Sequence, residues 1–203
     1  MKSGNQFIRL LLSLIFVYAF MYYAYEESDI FWYIYAFTML MACAISLISN
    51  QIKDELPAWR TLLFGIGYGT VLYGIIRFLY WILNMVNDDF TKTTAKFISS
   101  IGPNNIWHYF LILFILVICE EMFWRGYIQQ KLKTFVSPII AISISSALSC
   151  IFFAVSGYFS ISIVAFIMSI FLGALYEWKK SLPLVIVAHE VFIVLLFLII
   201  PFF

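Results

Sequence analysis

Seven long apolar runs divide this chain, and each is close to the ~20 residues that a helix needs to cross a bilayer. They cover approximately Phe7–Tyr25, Ile30–Ser49, Thr61–Val86, Ile106–Ile128, Ile139–Ser156, Tyr158–Tyr176 and Leu184–Phe203. Polar breaks separate them at Glu26-Glu27-Ser28-Asp29, Asn50 to Arg60, Asn87 to Asn105, Lys131 to Pro138 and Glu177 to Pro183. Only Gly157 and its neighbours part the fifth run from the sixth, so that hairpin must be tight. The first run follows Lys2 and Arg9, as a signal peptide does, but it is long and carries no small-x-small cleavage site. It is therefore read as a retained helix. With no internal repeat, residues 1–203 are read as a single all-α transmembrane domain, a polytopic bundle of about seven helices.

Composition says the same. Of 203 residues, 64% are hydrophobic and 11% charged, where a soluble domain carries about 25% charged residues. Aromatics reach 20%, more apolar surface than a globular core of this size absorbs, so lipid must cover part of it. A net charge of +1 offers no footprint for nucleic acid. Cys43, Cys119 and Cys150 lie inside apolar runs without metal-ligand spacing and read as packing residues.

The basic residues set an orientation. Lys2, Arg9, Lys53, Arg60, Lys131, Lys133, Lys179 and Lys180 fall on one side, and Lys92 and Lys96 on the other. This predicts a cytoplasmic N-terminus and an external C-terminus. Tyr22, Tyr23, Trp32, Trp107, His108 and Trp178 sit near run ends, as an interfacial aromatic belt does, and His108 reads as a wet interfacial side chain. Gly65, Gly67, Gly69 and Gly74 in the third run read as positions of close helix packing.

Ionisable groups inside apolar helices are costly, so each needs a reason. Arg77, Glu120, Glu121, Arg125, His189 and Glu190 are the cases here. Glu121 and Arg125 stand four apart on one helical face and can form an ion pair. Glu120 is turned about 100° from Glu121 and must look into the bundle or a water-filled cleft. Held there, it can act as a general base; the alternative is that both glutamates only neutralise Arg125 and Arg77. His189 lies about 9 Å along its helix from Pro183. It can ligate metal, relay protons, donate to an oxyanion or make one interhelical hydrogen bond. The string His189-Glu190-Val191-Phe192-Ile193 superficially matches a zincin motif, but Ile193 occupies the place of the second histidine, and that reading fails. Glu190 points away from His189, and Arg77 is a candidate partner for it.

The order of these residues resembles a known family. Glu120-Glu121-Met122-Phe123-Trp124-Arg125-Gly126 is similar to the EExxxRG signature of the CAAX-protease and bacteriocin-processing (CPBP or ABI) family of intramembrane proteases. The family's second motif, FxxxH, corresponds to Phe152-Phe153-Ala154-Val155-Ser156, with serine in place of histidine. Its third, HxxxN or HxxxD, corresponds to His189 through Ile193, with isoleucine in place of the amide or carboxylate. The likeness covers residues 106–193. It implies Glu120 as the water-activating base, Glu121 and Arg125 as its support, and His189 as an oxyanion donor, with a divalent metal such as zinc possible in an active member. Ser156 does not accept a proton near neutral pH and is a poor metal ligand. Ile193 donates nothing, and one lost oxyanion donor costs about 10²–10³ in rate. The expectation is a member with a degraded protease site, acting as a scaffold or regulator that needs no cofactor. Its partners are the bilayer and another membrane protein, or a hydrophobic or prenylated peptide. The alternative is an active glutamate- or metal-dependent endopeptidase.

Overall fold

The computed structural model describes residues 2–49, 54–86 and 88–201. Among them run eight helices, designated α1 (Lys2–Glu26), α2 (Phe31–Ser49), α3 (Ala58–Val86), α4 (Asp88–Ile101), α5 (Ile106–Leu132), α6 (Pro138–Ala154), α7 (Phe159–Lys179) and α8 (Leu182–Ile199). Six are long and apolar enough to cross a membrane; α6, with 17 residues, is the short apolar one. These seven answer to the seven apolar runs. Lys53 and Phe203, used in the orientation and in the last run, lie outside the described residues.

The eighth helix corrects the sequence reading. Residues 87–105 were expected to form a polar loop, yet Asp88–Ile101 is helical. Its inward residues Phe90, Thr94, Phe97, Ile98 and Ile101 recur at helical spacing, with Lys92 and Lys96 on other faces. The stretch is too polar to span a bilayer, and it lies against α3 and α7.

The bundle is organised around α5. On one side α1 and α2 pack against it, burying Val17, Met21, Met39, Phe123 and Trp124 completely. On the other side α3, α7 and α8 enclose Leu72, Leu172, Leu184 and Val185. Lipid tails are as apolar as these side chains, so helix association here depends on close packing rather than on escape from water. The α3–α8 contact follows that rule. A Cβ added to Gly65 would lie 2.6 Å from Val187 Cγ1, and one added to Gly69 would lie 2.7 Å from Val191 Cβ. Gly67 and Gly74 face open space, so the packing role read for all four glycines holds for only two.

Within α5 the helix widens to π geometry at Ile112–Leu116 and again at Met122–Gln129. A π turn displaces the i→i−4 ladder, and the carbonyls it shifts need partners in a medium without water. Neighbouring helices supply them. Ser46 Oγ donates to Met122 O at 2.7 Å, and Ser145 Oγ donates to Trp124 O at 3.2 Å. The expected tight hairpin between α6 and α7 is present, with Gly157 at φ 77°, a conformation that favours glycine.

Basic residues gather at one end of the bundle. Lys133 pairs with Glu177 at 2.6 Å, Lys180 pairs with the same carboxylate, and Lys179 sits 3.6 Å above the Trp178 ring. His108, expected to be wet, is buried and stacks on Trp32 at 5.4 Å, while its backbone N–H meets the Asn105 side chain that caps α5.

Candidate active site

Glu120 and Glu121 stand on the α-helical turn between the two π segments of α5, so both carboxyls point into the bundle rather than to lipid. Glu121 is fully buried. Its Oε2 lies 3.1 Å from Arg125 Nε, the ion pair that the spacing predicts. Its Oε1 lies 2.7 Å from His189 Nδ1, a pairing across 68 positions that the sequence did not disclose. One carboxylate thus bridges a guanidinium on its own helix and an imidazole on α8. When Nδ1 donates to that carboxylate, Nε2 of the neutral ring is an acceptor.

Glu120 looks elsewhere. Its Oε1 accepts a hydrogen bond from the Tyr35 hydroxyl of α2. The Glu120 and His189 side chains both line a cavity of about 170 Å³ to which all eight helices contribute, α6 through Phe153. The rest of the wall is almost wholly apolar and includes Ile98 and Ile101 of α4, Val164 and Met168 of α7, and Ile193 of α8. The structure therefore brings Glu120, His189 and Ile193 to one space, with Glu121 and Arg125 directly behind.

Ser156 plays a local part. Its hydroxyl donates to Phe153 O at 2.7 Å and accepts from Tyr158 N–H at 3.2 Å, which fixes the turn that leads into Gly157. Phe152 is fully buried and packs edge-on against Trp124 at 5.9 Å, as a core residue. Arg77 does not define the site: its Nη1 reaches Tyr73 Oη at 2.8 Å and Ile200 O at 3.4 Å, near the end of α8.

A catalytic zinc takes three protein ligands as a rule. Among the described residues no group of three or more His, Cys, Asp and Glu side chains is gathered to hold a metal ion. Glu120 and His189 with a serine committed to its own turn do not make that donor set.

Sequence reasoning missed Tyr35 and Tyr25. Tyr25 of α1 also lines the cavity; its hydroxyl is buried near Ser156 and completes no hydrogen bond of ordinary geometry. Both tyrosines sit in aromatic-rich helices, where nothing in their spacing sets them apart from packing or interfacial rings. Trp32, read as belt, is a wall residue of the same cavity.

No curated protein and no solved structure matches the chain. Residues 102–195 match the family model described as type II CAAX prenyl endopeptidase Rce1-like, which contains every motif position named above. Through that region the chain is similar to the type II CAAX prenyl endopeptidase family of membrane proteins.

Proposed function

We propose that this chain is a binding member of the family: it holds an apolar chain in the α5 cavity and leaves the polypeptide attached to it intact. The observation that carries the reading is the setting of Glu120. A water-activating carboxylate needs a second polar group to orient the water and donors for the oxyanion. Glu120 instead has a tyrosine hydroxyl on one oxygen, Ser156 is used in its own turn, and Ile193 adds another apolar wall. The occupant is a hydrophobic or lipidated peptide, or an apolar segment of another membrane protein, and the chain acts as a scaffold or regulator. Its N-terminus is cytoplasmic and its C-terminus external.

One observation favours the second reading, an active endopeptidase. Glu120 and His189 share the cavity, so a base and one polar partner are at hand. The two readings separate in a single experiment. Purified protein is mixed with prenylated and unmodified apolar peptides, and binding and cleavage are followed together. Binding with intact peptide supports the scaffold; cleavage that Glu120→Gln removes supports the enzyme.

A further inference from the structure

The cavity serves only one end of the bundle. Its polar residues Glu120 and His189 stand near the middles of α5 and α8, and Glu120 is roughly 20 Å along its helix from Ile106. From there the wall runs toward the end away from Lys133, Lys179 and Lys180. It uses Phe31, Trp32 and Tyr35 at the start of α2, Phe153 at the finish of α6, and Leu196 and Phe197 in the last turns of α8. The α4 helix and the Gly102-Pro103 turn complete that end. The other half of the bundle is packed shut. All eight residues of Met122–Gln129 are buried, and Gln129 Nε2 donates to Gly173 O at 3.1 Å. Leu182 and Leu184, where α8 begins, are buried as well. An occupant therefore reaches Glu120 and His189 from the α4 end.

The basic residues assign the closed end to the cytoplasm, so the α4 end faces outside. Its lips are polar. Lys92 and Lys96 are exposed on α4, and Glu26, Glu27 and Asp29 are exposed at the α1–α2 corner, next to Tyr25 in the chain. Charge of both signs around an apolar shaft suits a polypeptide with an apolar end better than a hydrocarbon chain alone. From this arrangement we infer that the occupant is the apolar or lipidated end of an exported polypeptide, taken from the external leaflet. The apolar end fills the shaft toward Glu120 and His189, and the polar remainder lies along the charged lips. A prenylated protein held at the cytoplasmic surface presents its lipid to the closed half and is excluded. This rests on the reading of the cavity as a binding site and on the orientation proposed with it; it adds the side of entry and the class of occupant.

The test uses the full chain in sealed vesicles of both orientations, right-side-out and inverted. A tag after Phe203 reports the orientation by its accessibility to protease. The probe is a photoactivatable peptide with an acyl end and a charged body that does not cross the bilayer, and labelled positions are mapped by mass spectrometry. Added to right-side-out vesicles, it is expected to label the wall around Ile98, Ile101, Val164 and Met168 at least about tenfold more than in inverted ones, because carrying the charged body through hydrocarbon is costly. Detergent, which opens both faces, is expected to abolish the difference. The same acyl chain on a neutral glycerol head is expected to label the wall several-fold less, and equal labelling by the two overturns the polypeptide assignment. Wall labelling confined to inverted vesicles, or a tag that lies inside right-side-out vesicles, overturns the external assignment and leaves the binding reading standing. Absence of wall labelling even in detergent overturns the binding reading, and the inference with it.

Discussion

Glu121 serves two neighbours at once, and its buried position makes that service expensive to disturb. Neither Arg125 nor Glu121 has water to fall back on, since they are 2% and 0% exposed. Removing one partner of a buried pair leaves an uncompensated charge, at a cost of about 3–5 kcal/mol. Arg125→Ala is therefore expected to lower the melting temperature in detergent sharply, and adding Glu121→Gln to restore part of the loss. An unchanged melting curve for Arg125→Ala contradicts the buried pair. Tyr35→Phe should cost less, about 1–3 kcal/mol, because it removes one donor from a buried acceptor. The Glu121–Arg125 pair was legible because i,i+4 spacing within one helix fixes the geometry. The His189–Glu121 and Tyr35–Glu120 contacts were not, since they depend on how α8 and α2 meet α5, and no local rule encodes that register.

At the scale of the helices, small residues decide how close the elements come. Gly69→Val must displace the Ala188 carbonyl and Val191 of α8, whereas a Cβ at Gly67 meets nothing within 4 Å. Overpacking a tight contact costs about 1–3 kcal/mol. Gly69→Val is thus expected to destabilise by that order and Gly67→Val to be nearly neutral, as read by thermal unfolding. Comparable losses at both positions contradict the α3–α8 packing. The glycine cluster was visible in the sequence, but which two face α8 depends on the rotation of α3, and an apolar helix with lipid on one side does not signal its rotation. The α4 helix was legible in principle: Phe90, Thr94, Phe97, Ile98 and Ile101 keep helical spacing, but the surrounding polar residues read as a loop. The π turns of α5 had no sequence signal, because Ser46 and Ser145, which accept the burden of the displaced carbonyls, lie on other helices.

For the molecule as a whole, the long apolar runs fixed the class of fold, because a spanning helix demands both length and hydrophobicity. The orientation rests on the basic residues, and a reporter fused after Phe203 is expected to be active outside the cytoplasm; cytoplasmic activity contradicts seven crossings. The cavity was beyond a linear reading, since its wall draws on eight helices. Function turns on what Glu120 does in that cavity. The most direct measurement is a time course of prenylated and apolar peptide cleavage by the purified wild type beside Glu120→Gln. The account predicts intact peptide with both proteins, at rates no greater than without protein. Robust cleavage by the wild type that Glu120→Gln abolishes contradicts it.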